Sequence, residues 1–225
     1  MPEGEALRIG GMVPFTTLDF PGHLAAVLFC QGCPWRCGYC HNPHIQGLHP
    51  PEGAWRWKPV MDWLGSRRGL LDGVVFSGGE PLMQRELPAA MREVRLSGFA
   101  VGLHTAGIYP DRLRAVLPEV DWIGFDLKAP YGKYARVTGA PGDEVARESL
   151  ALVAASGKAY EVRCTFDPEL LDAEDLVHMA LWLQEAGVAR LVLQPCRRNG
   201  RSCAIPDSLM APALSFFPGL ERRLA

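Results

Sequence analysis

No stretch of this 225-residue chain is apolar for long enough to cross a bilayer. The longest clean apolar run covers residues 24–30, against the roughly 18 residues that a membrane span needs. The first residues, MPEGEALRIGG, are acidic and hold no apolar h-region. No signal peptide is therefore expected, and the chain reads as cytoplasmic. Charge of one sign is lacking as well. Lys and Arg number 23 against 25 Asp and Glu, leaving a net charge of -2. That is neither the basic footprint of a nucleic-acid binder nor an acidic tail. Repeats, low-complexity blocks and interdomain linkers are missing. With 48% apolar and 21% charged residues, a largely disordered chain is excluded. The cysteine count is odd, seven, which argues against a secreted disulfide framework. One domain is expected over residues 1–225, with its core at 8–196 and a C-terminal extension at 197–225.

What the chain does have is punctuation. Its 24 glycines and 19 prolines separate short apolar runs from helical patterns. The runs at 24–30, 73–76, 99–103, 122–126, 160–165 and 190–193 read as strands. The segments 59–68, 84–97, 111–117, 143–155 and 173–186 read as helices, with Asp143 and Asp172 as N-caps and Gly187 as a C-cap. Strand–helix alternation with continuously apolar strands points to a parallel sheet covered by helices. Six units are too few for a closed eight-fold barrel of ~250 residues, so an open or partial α/β barrel is expected. Its unusual polar residues fall after the strands: 31–40, Ser77 to Glu80, His104 with Thr105 and Gly107, Asp126 with Lys128, Arg163 with Thr165, and Gln194 with Cys196. In a parallel sheet all six sets share one mouth, where sites are built.

Four of the seven cysteines crowd into residues 30–40. Cys33, Cys37 and Cys40 are spaced so that three thiolates can converge on one side of a loop, a donor set suited to zinc or to an iron–sulfur cluster. A structural zinc site wants four closed ligands. Cys30, three residues before Cys33, and His41 and His44 just after Cys40 keep that alternative open from spacing alone.

The cysteine pattern, with the aromatic Tyr39 before its last member, resembles the signature of the radical S-adenosylmethionine superfamily. Ser77-Gly78-Gly79-Glu80-Pro81 after the second strand is similar to that family's second hallmark. Within the family, three further features resemble the glycyl-radical-activating branch: the segment 16–22 (TTLDFPG), Cys40-His41-Asn42-Pro43, and Asp126-Leu127-Lys128-Ala129-Pro130 with Lys133-Tyr134 and Val137-Thr138-Gly139. The likeness is greatest to activating proteins of anaerobic ribonucleotide reductase. The resemblance implies a partial (β/α)6 TIM-like barrel, one 4Fe-4S cluster and S-adenosylmethionine as cofactors. It also implies a cytoplasmic oxidoreductase that cleaves S-adenosylmethionine reductively to a 5′-deoxyadenosyl radical and installs a glycyl radical on a partner reductase. Flavodoxin or ferredoxin would supply the electron, and neither nucleic acid nor a membrane is an expected partner.

By the same resemblance Cys33, Cys37 and Cys40 hold the cluster. Tyr39, Asn42, Gly78, Gly79, Glu80, Thr105, Asp126, Lys128 and Arg163 form the cofactor shell, with Gln194 a weaker candidate. Gly78 and Gly79 lack a Cβ and so let the backbone come close to a ligand. Glu80 is suited to the ligand's ammonium and Lys128 to its carboxylate. The chain departs from the family where Asp-Thr-Asn-Gly is usual: it has His104-Thr105-Ala106-Gly107, which puts in doubt contacts made through those two side chains, including a monovalent-cation site. Cys30, Cys164 and Cys203 read as packing residues. Trp55 and Trp57 read as loop residues available to a partner. Arg197, Arg198 and Arg201 read as a basic loop cluster. Rival readings are an activase of pyruvate formate-lyase, a small-molecule radical enzyme such as a carboxy-deazaguanine synthase, and, in another class, a non-catalytic zinc or electron-transfer module.

Overall fold

The structure is a computed structural model describing residues 7–50, 52–198 and 201–223. The acidic start of the chain, residues 1–6, lies outside these, as does the side chain of Arg198. In chain order the elements are β1 (Ile9–Thr16), β2 (Ala25–Cys30), α1 (Trp57–Gly65), β3 (Gly73–Gly78), α2 (Leu87–Leu96), β4 (Ala100–Thr105), α3 (Pro110–Val116), β5 (Trp122–Asp126), α4 (Tyr134–Thr138), α5 (Asp143–Ala155), β6 (Ala159–Phe166), α6 (Ala173–Glu185), β7 (Leu191–Pro195), β8 (Arg197–Arg198), β9 (Arg201–Ser202), α7 (Asp207–Leu214) and β10 (Leu220–Arg222). One eight-stranded sheet runs β1-β2-β3-β4-β5-β6-β7-β10, and β8 and β9 form a separate hairpin. The six expected strands are β2 to β7, mutually parallel in sequence order.

Two sheet strands escaped the apolar-run reading. β1 pairs antiparallel with β2 and slips register at 9–11 and 13–16. Its sequence, IGGMVPFT, holds two glycines and a proline, which an edge strand accommodates because its outer side has no ladder partner. β10 has three residues, two of them exposed and charged, and pairs parallel with β7. The helix ends also need correction. Asp143 is the first residue of α5, whose N-cap is Gly142. A Cβ at 142 would crowd the Trp35 ring, and the Asp143 carboxylate instead accepts from the Gly132 amide at 2.6 Å. Asp172 does cap α6, in a reciprocal capping box with Asp175. Ala186 is that helix's C-cap, and Gly187 follows it at φ 72°. Trp57 is not a loop residue: it opens α1 buried against Phe76, its indole N–H donating to Glu93 at 2.7 Å.

The strand rows explain how the sheet receives the site. Val27, Val75, Gly102 and Trp122 lie side by side across β2 to β5. Phe20, from the segment 16–22, packs onto this row with Ala25. It can do so because Gly73 and Gly102 leave the space: a Cβ at either would meet the Phe20 ring. Phe20 also stacks on His23 and Trp122, with centroids 4.1 and 5.9 Å away. This small cluster forms an apolar floor on one face, while the helices cover the larger core on the other. Phe20→Ala is expected to cost about 3–4 kcal/mol in urea unfolding, because the glycines opposite cannot fill the space left behind.

Candidate active site

The floor carries a second storey of polar residues. Further along the same strands toward their C-terminal ends, a cavity of about 200 Å³ collects side chains from six strand ends. It is lined by all three proposed cluster ligands, Cys33, Cys37 and Cys40, and by all nine proposed shell residues, Tyr39, Asn42, Gly78, Gly79, Glu80, Thr105, Asp126, Lys128 and Arg163. Gln194, His41, His104, Ala106, Ser77 and Thr165 also reach it. Cys196 does not: it is buried in the main core. Trp35, Gln46 and Ile108 line the cavity as well. Trp35 belongs to the marked segment 31–40, whereas Gln46 and Ile108 lie in none of the marked sets, and only loop closure brings them there.

The cysteine loop is held at both ends. Gly32 and Cys33 amides donate to the carbonyls of Ile45 and Gln46, and the Arg36 amide donates to Thr138. Trp35 is buried edge-on to Tyr134, with centroids 5.6 Å apart. Gly78 and Gly79 complete the clamp, and what they approach most closely is this loop's own backbone. A Cβ at Gly78 would overlap the Cys30 amide, and one at Gly79 would overlap the Gly32 carbonyl. Gly78 also sits at φ 119°, a conformation other residues rarely adopt. The Gly79 amide donates to Cys30 at 2.9 Å and the Glu80 amide to Gly32 at 2.8 Å. Asn42 stands at the N-cap of a 3-10 turn, where its carbonyl accepts from the Ile45 amide at 3.1 Å but its side chain makes no capping bond.

Burial pushes the Cys33 thiol up to about 11 and raises that of Cys37. Both stay protonated until a metal draws them out as thiolates. Among the described residues, no three His, Cys, Asp or Glu side chains meet as the ligands of a single ion would. Three thiols lining one cavity are a soft donor set that fits a four-iron cube, in which each thiolate would serve a different iron. Cys30 adds no fourth donor: it is fully buried, and burial pushes its thiol far up.

Glu80 is buried beside this loop. One carboxylate oxygen accepts from the Leu82 amide at 3.0 Å and the Thr105 hydroxyl at 2.7 Å, the other from the Ala106 amide at 3.0 Å. A carboxylate offers about four acceptor positions, so one remains toward the cavity. Burial outweighs these bonds and holds Glu80 up at about 7. Across the cavity Asp126 accepts from Arg163 Nε at 2.5 Å and from Lys128 Nζ at 3.2 Å. Burial works against its charge, yet the two cations hold its carboxyl well below the usual range. Burial likewise opposes the Lys128 charge, which Asp126 restores. Two cations and one anion leave this trio with an excess positive charge. Tyr39 keeps a buried hydroxyl with no partner among the described residues.

His104, at the departure from the family pattern, bridges site and floor. Its Nε2 lies 2.9 Å from the Asp19 carbonyl and 3.3 Å from Arg163 Nη1. The shorter contact assigns the proton to Nε2, donating to the carbonyl. Gly124 makes the meeting possible, since a Cβ there would crowd His104, Arg163 and Trp122 at once. Burial, then Arg163, lower His104 to about 3. A His whose pKa is lowered on folding contributes stability that is present above about 6.5 and lost on acidification. Replacement by Asn is expected to remove on the order of 3 kcal/mol from the fall in stability between pH 7 and 4. Paired urea titrations of the two chains measure this difference.

Three comparisons bear on this geometry. The sequence profile of the radical SAM superfamily matches residues 27–183. A protein of Methanocaldococcus jannaschii named as a glycyl-radical enzyme activating enzyme is 29% identical over 185 residues, 76% of this chain and 73% of its own length. The pyruvate formate-lyase-activating enzyme of Clostridium pasteurianum is 29% identical over 179 residues, 75% of this chain and 72% of its own. Among solved structures, QueE from Escherichia coli superposes with a TM-score of 0.62 at 16% identity, covering 100% of this chain and 97% of its own. Streptococcus suis SuiB bound to S-adenosylmethionine superposes at 0.64 with 11% identity, covering 87% of this chain, which spans about half of that larger protein (46%).

Proposed function

The chain belongs to the radical SAM superfamily, whose chemistry runs on a 4Fe-4S cluster and S-adenosylmethionine, and on that premise we propose that it is a glycyl-radical-enzyme activase whose target is an anaerobic ribonucleotide reductase. The observation that carries the activase reading is the convergence of three thiols, a buried carboxylate and a cationic trio on one cavity, in a chain similar to two proteins named as activating enzymes. The reductase as target is favoured by the sequence around Asp126-Leu127-Lys128-Ala129-Pro130 and Val137-Thr138-Gly139.

Held by Cys33, Cys37 and Cys40, the cluster would supply the electron for reductive cleavage of S-adenosylmethionine, the radical chemistry that glycyl-radical activation requires. The protein's own part is holding, orienting and keeping water out. Cys33, Cys37 and Cys40 hold the cluster. Glu80 offers its remaining acceptor position to the ligand's ammonium, and the Asp126–Lys128–Arg163 trio meets the carboxylate with its excess positive charge. Phe20 and Trp122 close the floor against solvent, and Trp35 and Ile108 line the cavity wall. A flavodoxin or ferredoxin is the proposed electron donor and the cytoplasm the proposed location. Among the described residues no helix is long and apolar enough to cross a membrane.

The test is anaerobic reconstitution with iron and sulfide, then incubation with S-adenosylmethionine, dithionite and, separately, an anaerobic ribonucleotide reductase or a pyruvate formate-lyase. A glycyl-radical signal by electron paramagnetic resonance is expected on the reductase. A signal on the lyase alone makes the chain that enzyme's activase. Cleavage of S-adenosylmethionine with a signal on neither points to a small-molecule radical enzyme.

A further inference from the structure

Two cysteines that the candidate site does not use stand opposite each other at the base of the β8–β9 hairpin. The ladder pairs Arg197 with Ser202 and Arg198 with Arg201. One step further from the turn, the same register sets Cys196 against Cys203, and the Cys203 amide donates to the Cys196 carbonyl at 2.8 Å. Residues opposed in an antiparallel ladder send their side chains to the same face. Burial agrees. Arg197 and Ser202 are exposed, whereas Cys196 is buried in the main core and Cys203 is half-buried against that same core.

The Cys196 amide donates instead to the Phe166 carbonyl, so a single bond joins the two residues; opposed residues of an antiparallel pair lie about 4.5–5.5 Å apart at Cα, inside the ~4.4–6.8 Å that a disulfide spans. The Cβ separation of about 4.5–5.5 Å exceeds the ~3.8 Å mean of a relaxed bridge. A bond here closes only with a small backbone adjustment and reopens readily, as regulatory disulfides do.

We propose that Cys196 and Cys203 form a reversible thiol–disulfide pair, a redox modification site at the mouth of the cavity. The hairpin follows β7, and Cys196 at its base lies two residues after the cavity-lining Gln194, so the bridge ties down the segment leaving the site. The co-reactant is a small-molecule disulfide, and the exposed Arg197 and Arg201 favour an anionic one. The Cys203 thiolate attacks one sulfur of that disulfide, expelling one small thiolate and leaving a mixed disulfide. The Cys196 thiolate then attacks Cys203 Sγ and expels the second. Two protein thiols are oxidised, one small disulfide is reduced to two thiols, and the two protons pass to the departing thiolates.

The experiment treats the cluster-loaded full chain, anaerobically, with oxidised glutathione, blocks remaining thiols with iodoacetamide and digests with trypsin. Cleavage after Arg190, Arg197, Arg201 and Arg222 separates the two cysteines into peptides 191–197 and 202–222. The expected product is these two peptides joined by a disulfide, lost on treatment with dithiothreitol. In Cys203→Ser, peptide 191–197 should be recovered fully alkylated. Recovery of alkylated 191–197 from the unmodified sequence, with glutathione retained on Cys203, overturns the proposal. So does linkage of either cysteine to another partner. The readout is a covalent mass and does not depend on which glycyl-radical enzyme the chain activates.

Discussion

A Cys37→Ala chain will take up no 4Fe-4S cluster on reconstitution and will release no 5′-deoxyadenosine under dithionite, whereas Cys30→Ala will do both. The two residues differ in what their side chains face, though both lie in the same crowded stretch. Cys37 is half-buried and lines the cavity with Cys33 and Cys40. Removing it leaves two thiols, too few to fix a cube whose irons each require a ligand. The loss should be complete to assay background, since no other cysteine lines the cavity among the described residues.

Cys30 closes β2 with its side chain in the core. Its backbone, not its sulfur, serves the site, by accepting from the Gly79 amide. Cys30→Ala therefore keeps that bond and costs about 1 kcal/mol for the lost packing. Iron and sulfide content, together with chromatographic assay of 5′-deoxyadenosine, decides the matter. A cluster retained in Cys37→Ala, or lost in Cys30→Ala, would mean that the ligand register is wrong.

Much of the site was legible in the sequence because its chemistry-bearing residues lie at the ends of apolar runs. Once six runs are read as parallel strands, topology alone brings Cys33, Glu80, Thr105, Asp126, Arg163 and Gln194 to one mouth. Contacts that depend on shape were not legible. Nothing in Gly78-Gly79 says that the space it vacates is filled by the backbone of the cysteine loop and not by a ligand. Gly124 reads as an ordinary strand glycine until His104 and Arg163 are seen to close over it. Gly142 takes the cap position from Asp143 because Trp35, distant in sequence, leaves no room for a side chain there. β1 was hidden for a related reason: its Gly-Gly and Pro14 break the apolar pattern, and only an edge position makes them harmless. Periodicity reports on a segment's own faces. It carries no record of which distant group will press against them.

Glu80→Gln should weaken S-adenosylmethionine binding to the cluster-loaded chain by roughly ten- to a hundred-fold, the worth of one charge-assisted hydrogen bond. It should also change how stability depends on pH. All three groups bonded to Glu80 donate: the Leu82 amide, the Thr105 hydroxyl and the Ala106 amide. A Gln side chain can still accept from two of them through its single oxygen, but its NH2 then faces the Ala106 amide, donor against donor. One buried amide is left unpaired, at a cost of about 1–3 kcal/mol. Either oxygen of the native carboxyl can accept and so avoids that conflict; burial opposes its ionised form, which is why its pKa stands raised at about 7. A carboxyl whose pKa is raised on folding contributes stability that is full below its unfolded value near 4.3 and lost as pH rises through about 7. In urea titrations the unmodified chain should therefore lose about 2 kcal/mol between pH 5 and 8 that the Gln chain does not lose. The net destabilisation of the Gln chain relative to the unmodified one should accordingly be largest at pH 5 and shrink toward pH 8. A bound ammonium offsets the same opposed charge, so Glu80 is costly in the empty fold at neutral pH and favourable once the ligand is in place. Equal pH profiles for the two chains, or unchanged binding in the Gln chain, would show that Glu80 is a packing residue whose remaining acceptor position meets nothing.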